Sequence, residues 1–153
     1  ADEIRINNYL KRYGFSEQKR VNFMIGEDSV WQNKEKYILV GKSKFHLWAN
    51  MGMVGMSNAG TATEQITGLG VPSLSLPGDG PQFTKSFAKR QSRLLGGSVL
   101  VCHDKNSLLN HLVLLLNEKN YRFEQVKLGR ERMGKSGASK KIVDSINFNL
   151  LSL

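Results

Sequence analysis

The residues best suited to chemistry lie between Gly52 and Gly80. A short apolar run at 52–56 ends in the small-residue turn Ser57-Asn58-Ala59-Gly60, and Thr61-Ala62-Thr63-Glu64-Gln65 opens a helix. A second apolar run at 73–76 leads into the turn-rich loop Pro77-Gly78-Asp79-Gly80-Pro81-Gln82. Small residues let a ligand approach the backbone closely, and a helix N-terminus offers unpaired N–H groups and the positive end of the helix dipole. The expected chemistry is anion binding at turn 57–61. A helix cap competes with that reading, because Thr61 and Glu64 have capping-box spacing. The two are partly compatible, since a first-turn carboxylate such as Glu64 can also accept hydrogen bonds from ribose hydroxyls. In the second loop Gly78 and Gly80 allow positive φ, and Gln82 offers a donor and an acceptor at a helix start. That loop reads either as a tight connection or as a sugar-contacting segment.

Apolar runs alternating with helical patterns must position these turns. Helices are expected at 2–13 (stopped by Gly14), 44–50, 61–69, 82–95, 107–117, 121–132 and 138–150, with strands at 21–25, 37–40, 52–56, 73–76 and 98–102. Asp104 or Ser107 can cap the helix at 107–117. In the helix at 82–95, Phe83, Phe87 and Leu94 are expected to face inward, and in the last helix Ile142, Val143, Ile146 and Leu150 fall at helical spacing. The pattern predicts an α/β fold with an open, mostly parallel, three-layer sheet and helices on both faces. The turns after the strands at 52–56 and 73–76 should then share the rim at the strands' carboxyl ends, where such folds bind ligands.

The chain of 153 residues is long enough for one domain with a core, and its 40% apolar and 23% charged residues are ordinary for a globular protein. The single cysteine, Cys102, excludes an internal disulfide, fits a reducing compartment, and follows the apolar residues 99–101, as a buried structural thiol would. The longest apolar run, 112–116, is far short of a membrane span, and no signal-peptide pattern opens the chain. A start at Ala1 rather than at methionine, directly in helix-forming sequence, predicts a piece of a longer protein. The net charge of +9 is spread over the chain and favours anionic partners: a nucleotide ligand, an acidic membrane surface or nucleic acid. Nucleic acid is disfavoured, because aromatics do not interleave with the basic clusters as a stacking platform requires.

Residues 129–136, Gly-Arg-Glu-Arg-Met-Gly-Lys-Ser, match the phosphate-loop pattern. The match fails on context, since the preceding 121–128 reads as helix rather than strand and the loop interior is bulky and charged. A connection between helices, broken at Gly134 and Gly137, is the better account. His46, His103 and His111 lack metal-ligand spacing, no nucleophile elbow is present, and no catalytic residue can be assigned. Trp31, in an expected polar loop at 26–36, reads as a base-stacking residue or, more simply, a partly buried aromatic.

Several motifs in order carry a family resemblance. They are residues 59–65 (Ala-Gly-Thr-Ala-Thr-Glu-Gln), 68–72 (Gly-Leu-Gly-Val-Pro), 77–83 (Pro-Gly-Asp-Gly-Pro-Gln-Phe), 91–96 (Gln-Ser-Arg-Leu-Leu-Gly) and 129–139. Together they resemble the lipid-A-disaccharide synthase-related proteins, relatives of glycosyltransferases with two facing Rossmann-like domains. The resemblance runs from about residue 38 to residue 146 and covers the C-terminal, donor-binding domain. It implies a nucleotide-sugar donor such as UDP-N-acetylglucosamine as substrate, with no cofactor and no metal. By position it places Gly60, Thr61 and Ala62 at the donor phosphates, Glu64 on the ribose, and Gly80, Pro81 and Gln82 near the sugar. It also implies an inverting displacement by a hydroxyl of a lipid-like acceptor, in a cytoplasmic enzyme peripheral to the inner membrane face.

Two family features are missing from the sequence: the N-terminal acceptor domain with its expected general base, and the Gly-rich turn that opens the donor domain in relatives. The isolated chain is therefore expected to bind donor weakly and to turn nothing over. The rival enzyme reading is a nucleotide-sugar 2-epimerase, which needs carboxylates and a histidine converging on the sugar. The rival from another class is a basic module for nucleic acid or an anionic surface.

Overall fold

The computed structural model describes residues 2–21, 23–78 and 83–151. Chain contacts divide it into two compact units, Ala1–Met51 and Gly52–Leu153. Among the described residues no helix is long and apolar enough to cross a membrane.

In the first unit, helix α1 (Glu3–Arg12) starts where the Asp2 carboxylate accepts the Ile4 and Arg5 N–H groups. It stops at Gly14, whose φ of 78° suits glycine. Strands β1 (Ser16–Glu17), β2 (Ser29–Asn33) and β3 (Lys36–Val40) then form a sheet in that order, antiparallel throughout. This departs from the mostly parallel sheet expected of the whole chain. The connection explains it: Asn33 pairs with Lys36, leaving a two-residue turn with Lys34 at φ 54°, and only antiparallel strands can be joined so tightly. Trp31 lies in the central strand and is 1% exposed, so it is core rather than a surface aromatic or a base-stacking residue. Its Nε1 donates to Ser29 Oγ at 3.1 Å. Helix α2 (Phe45–Met51) seats Trp48 against Gly41, where a Cβ would lie 2.7 Å from the ring.

The strand expected at 21–25 does not form among the described residues of that span. The Glu27 carboxylate instead collects the N–H groups of Phe23, Met24 (3.1 Å) and Ile25 (3.0 Å), and Met24 takes φ 58°, so these donors cannot serve a ladder. Hydrogen bonds to the ionised form, led by Glu27's own N–H, hold its carboxyl below the ordinary 4.5. A depressed carboxyl contributes stability above its unfolded value and loses it as pH falls through the folded one. We expect the first unit to lose stability on acidification below pH 4.5, and Glu27→Gln to flatten that slope in thermal melts across the acid range.

The second unit begins with β4 (Gly55–Met56), α3 (Thr61–Gly68) and β5 (Ser73–Ser75), and continues with α4 (Lys85–Leu94) and β6 (Val99–Val101). The three strands pair in parallel in the order β4-β5-β6. Helices α5 (Lys105–Asn117), α6 (Lys119–Met133) and α7 (Ala138–Ile146) follow, and a π-helical segment, Asn147–Leu151, continues α7. The result is a mixed α/β unit around a small parallel sheet.

Alternation along the strands sends Leu74 and Cys102 to one face, where they form a core with Leu115 of α5, flanked by Leu100, Leu108, Leu112 and Tyr121. On the other face a Cβ at Gly55 would lie 2.9 Å from Ile66 of α3 and 3.1 Å from Ser73 Oγ, and Ser92 of α4 donates to the Val99 carbonyl at 2.6 Å. Helix α4 buries Ala88, Gln91 and Leu95 rather than Leu94, which is 73% exposed. The α5 start is a reciprocal capping box: Asp104 accepts the Ser107 N–H (2.7 Å) and Ser107 Oγ accepts the Asp104 N–H (3.1 Å). Cys102 is buried, and desolvation pushes its thiol pKa up. Thiol-specific reagents should therefore label it only after denaturation, an outcome a timed alkylation assay reads directly.

Candidate functional site

The carboxyl ends of β4 and β5 do meet on one rim, through Asn58. Its Nδ2 donates to the Leu76 carbonyl (2.7 Å), while its Oδ1 accepts the Leu76 N–H (3.0 Å) and the Ser75 hydroxyl (3.4 Å). The amide thus extends the β4–β5 pairing by one side-chain rung beyond Ser57, whose N–H donates to the Leu74 carbonyl at 3.0 Å. Asn58 and Ser57 are accordingly occupied with building the turn. Ser57 Oγ accepts from Thr63 Oγ1 at 2.8 Å, and Thr63, fully buried, also reaches the Ala59 carbonyl at 2.5 Å.

Helix α3 opens at Gly60, which is its N-cap, and no side chain among the described residues caps the first turn. The capping box read at Thr61 and Glu64 is thus not formed: Thr61 is already helical, so its hydroxyl sits one position too late to cap. Gly60 has φ −74°, within reach of any residue, and a Cβ there would stand an ordinary 3.7 Å from Phe87. Packing against the described residues therefore leaves room for a side chain at Gly60. The Gly60 carbonyl accepts the Gln91 amide at 2.8 Å and the Glu64 N–H at 3.2 Å, which ties the α3 start to α4.

Thr61 is exposed, Ala62 and Glu64 are half-buried, and Glu64 stands in the first turn. What this geometry offers is a helix start whose leading N–H groups receive no side-chain oxygen among the described residues, on the rim of a parallel sheet. Gly80, Pro81 and Gln82 lie outside the described residues, as does the approach of their loop to α3. At the neighbouring end of β6, His103 is exposed and its N–H is taken by Ser107 Oγ at 2.8 Å. Among the described residues no three His, Cys, Asp or Glu side chains gather as a metal site would require. A concavity of about 800 Å³ lies in the first unit, lined by Tyr13, Phe15 and residues 33–36.

Sequence reasoning missed Thr63 and Gln91, the two polar side chains that shape this turn from inside. Gln91 carried a visible signal: it shares the spacing of Ala88 and Leu95, a polar residue on a buried stripe. The phosphate-loop match at 129–136 is excluded, because α6 runs without a break to Met133 and Gly129 lies inside it, against Thr67 of α3. No family model, curated protein or solved structure matches the chain.

Proposed function

We propose that the Gly52–Leu153 unit is the Rossmann-like donor-binding domain of an inverting, two-domain glycosyltransferase. The donor is a UDP-sugar of the UDP-N-acetylglucosamine kind, and the acceptor is lipid-like. The observation that carries the reading is the α3 start: an eight-residue helix with no side-chain cap among the described residues, on the carboxyl-end rim of a parallel β-α-β unit. In this account the pyrophosphate lies against the N–H groups of Thr61 and Ala62, and Glu64 accepts from the ribose hydroxyls. Helix dipole and backbone N–H groups, rather than a cation, then take the charge of the departing diphosphate. Gly80, Pro81 and Gln82 are assigned to the sugar, and a separate domain supplies acceptor binding and the general base.

Thr61→Glu separates this role from folding. An acidic residue in the first turn of a helix favours the helix, so the melting temperature should hold or rise. The added carboxylate occupies and repels the pyrophosphate site, so UDP affinity should fall at least about tenfold in calorimetry. Unchanged affinity in the variant rules the α3 start out as the phosphate site.

A further inference from the structure

We propose that α7 is an interfacial anchor, which lays Ile142, Val143, Ile146 and Leu150 into the headgroup region of an anionic lipid bilayer. The helix Ala138–Ile146 has no buried residue. These four side chains, at helical spacing along α7 and its π-helical continuation, are 60%, 54%, 44% and 74% exposed. Large aliphatic side chains in one stripe on an otherwise polar helix are the pattern of a segment that lies in a membrane surface without crossing it.

The charge around the stripe selects the partner. Arg132, Lys135, Lys140 and Lys141 stand within ten residues of one another, and their nearest acidic neighbour on α7, Asp144, is already paired with Lys140 at 2.9 Å. The local excess is cationic, as an anionic lipid surface demands. Size argues the same way. A stable protein interface takes about 20–30 residues a side, far more than one short helix presents, whereas reversible lipid binding needs only a stripe of apolar side chains and a few basic ones. Gly134 and Gly137, at φ 71° and 104°, set α7 off from α6, and a Cβ at either would meet nothing within 4 Å.

This inference stands apart from the donor-site reading and is tested without nucleotide, so either can fail alone. The full chain is sedimented with phosphatidylcholine vesicles, with and without phosphatidylglycerol. Binding is expected to the phosphatidylglycerol vesicles and to weaken with salt. It should fall about tenfold or more in Ile142→Glu/Ile146→Glu and in Lys140→Glu/Lys141→Glu. All four positions are exposed, so both variants should keep the wild-type circular dichroism. Failure of the wild type to bind, or binding by the isoleucine variant equal to the wild type's, overturns the proposal. So does self-association that the isoleucine substitutions abolish while vesicle binding is absent, because the stripe then meets a second copy of the chain.

Discussion

Valine at position 129 should cost the second unit about 3 kcal/mol, because α6 crosses α3 with no room for a side chain there. A Cβ on Gly129 would lie 2.6 Å from Thr67 Cγ2, 3.1 Å from the Thr67 carbonyl and 3.3 Å from Ser98 Oγ. Thr67 is 1% exposed and Ser98 is fully buried, so neither has space to withdraw. Glycine within a helix ordinarily costs about 1 kcal/mol relative to alanine. At Gly129 the sign reverses, and even Gly129→Ala should destabilise, by about 1–3 kcal/mol in urea denaturation. Gly68 is the control from the same pair of helices. A Cβ there meets only Met133 at ordinary distances of 3.5 Å and more, so Gly68→Ala should be neutral or stabilising. If alanine stabilises both positions equally, the α3–α6 crossing is not as close as described.

Trp31→Ala should remove most of the stability of the first unit. The ring is 1% exposed in the central strand, and truncating a buried tryptophan costs about 3–5 kcal/mol. A unit of this size draws no more than about 3–5 kcal/mol from its core, so the two figures are comparable. Amide hydrogen exchange checks this: protection across the β2–β3 pairing should collapse in the variant. Retained protection there would mean that the hairpin rests on contacts other than this ring.

Trp31 also marks where the sequence stopped being legible. The residues around it, Gly26 to Lys36, are polar enough to read as a loop, and the hairpin turn Lys34-Glu35 lacks the glycine or asparagine that signals a two-residue connection. The apolar 21–25 looked like a strand, yet a carboxylate two to four residues ahead claimed its N–H groups, an interaction that periodicity does not register. The second unit was far more readable. Short apolar runs separated by Gly-rich turns and helical stripes gave the parallel strands and every helix there to within a few residues. The meeting of the carboxyl ends of β4 and β5 on one rim was legible for the same reason. The start of α3 was less so. Threonine and glutamate at capping-box spacing suggested a cap, but the turn was instead organised by Asn58, Thr63 and Gln91, three side chains brought together across the fold.

Donor binding by the second unit requires that the start of α3 receive a pyrophosphate. An NMR titration of the chain with UDP reads this residue by residue. Saturable shifts centred on the amides of Thr61, Ala62 and Glu64, and lost in Thr61→Glu, are the predicted result. Amides of 60–64 that stay still at millimolar UDP, or shifts confined to residues away from this turn, would contradict it.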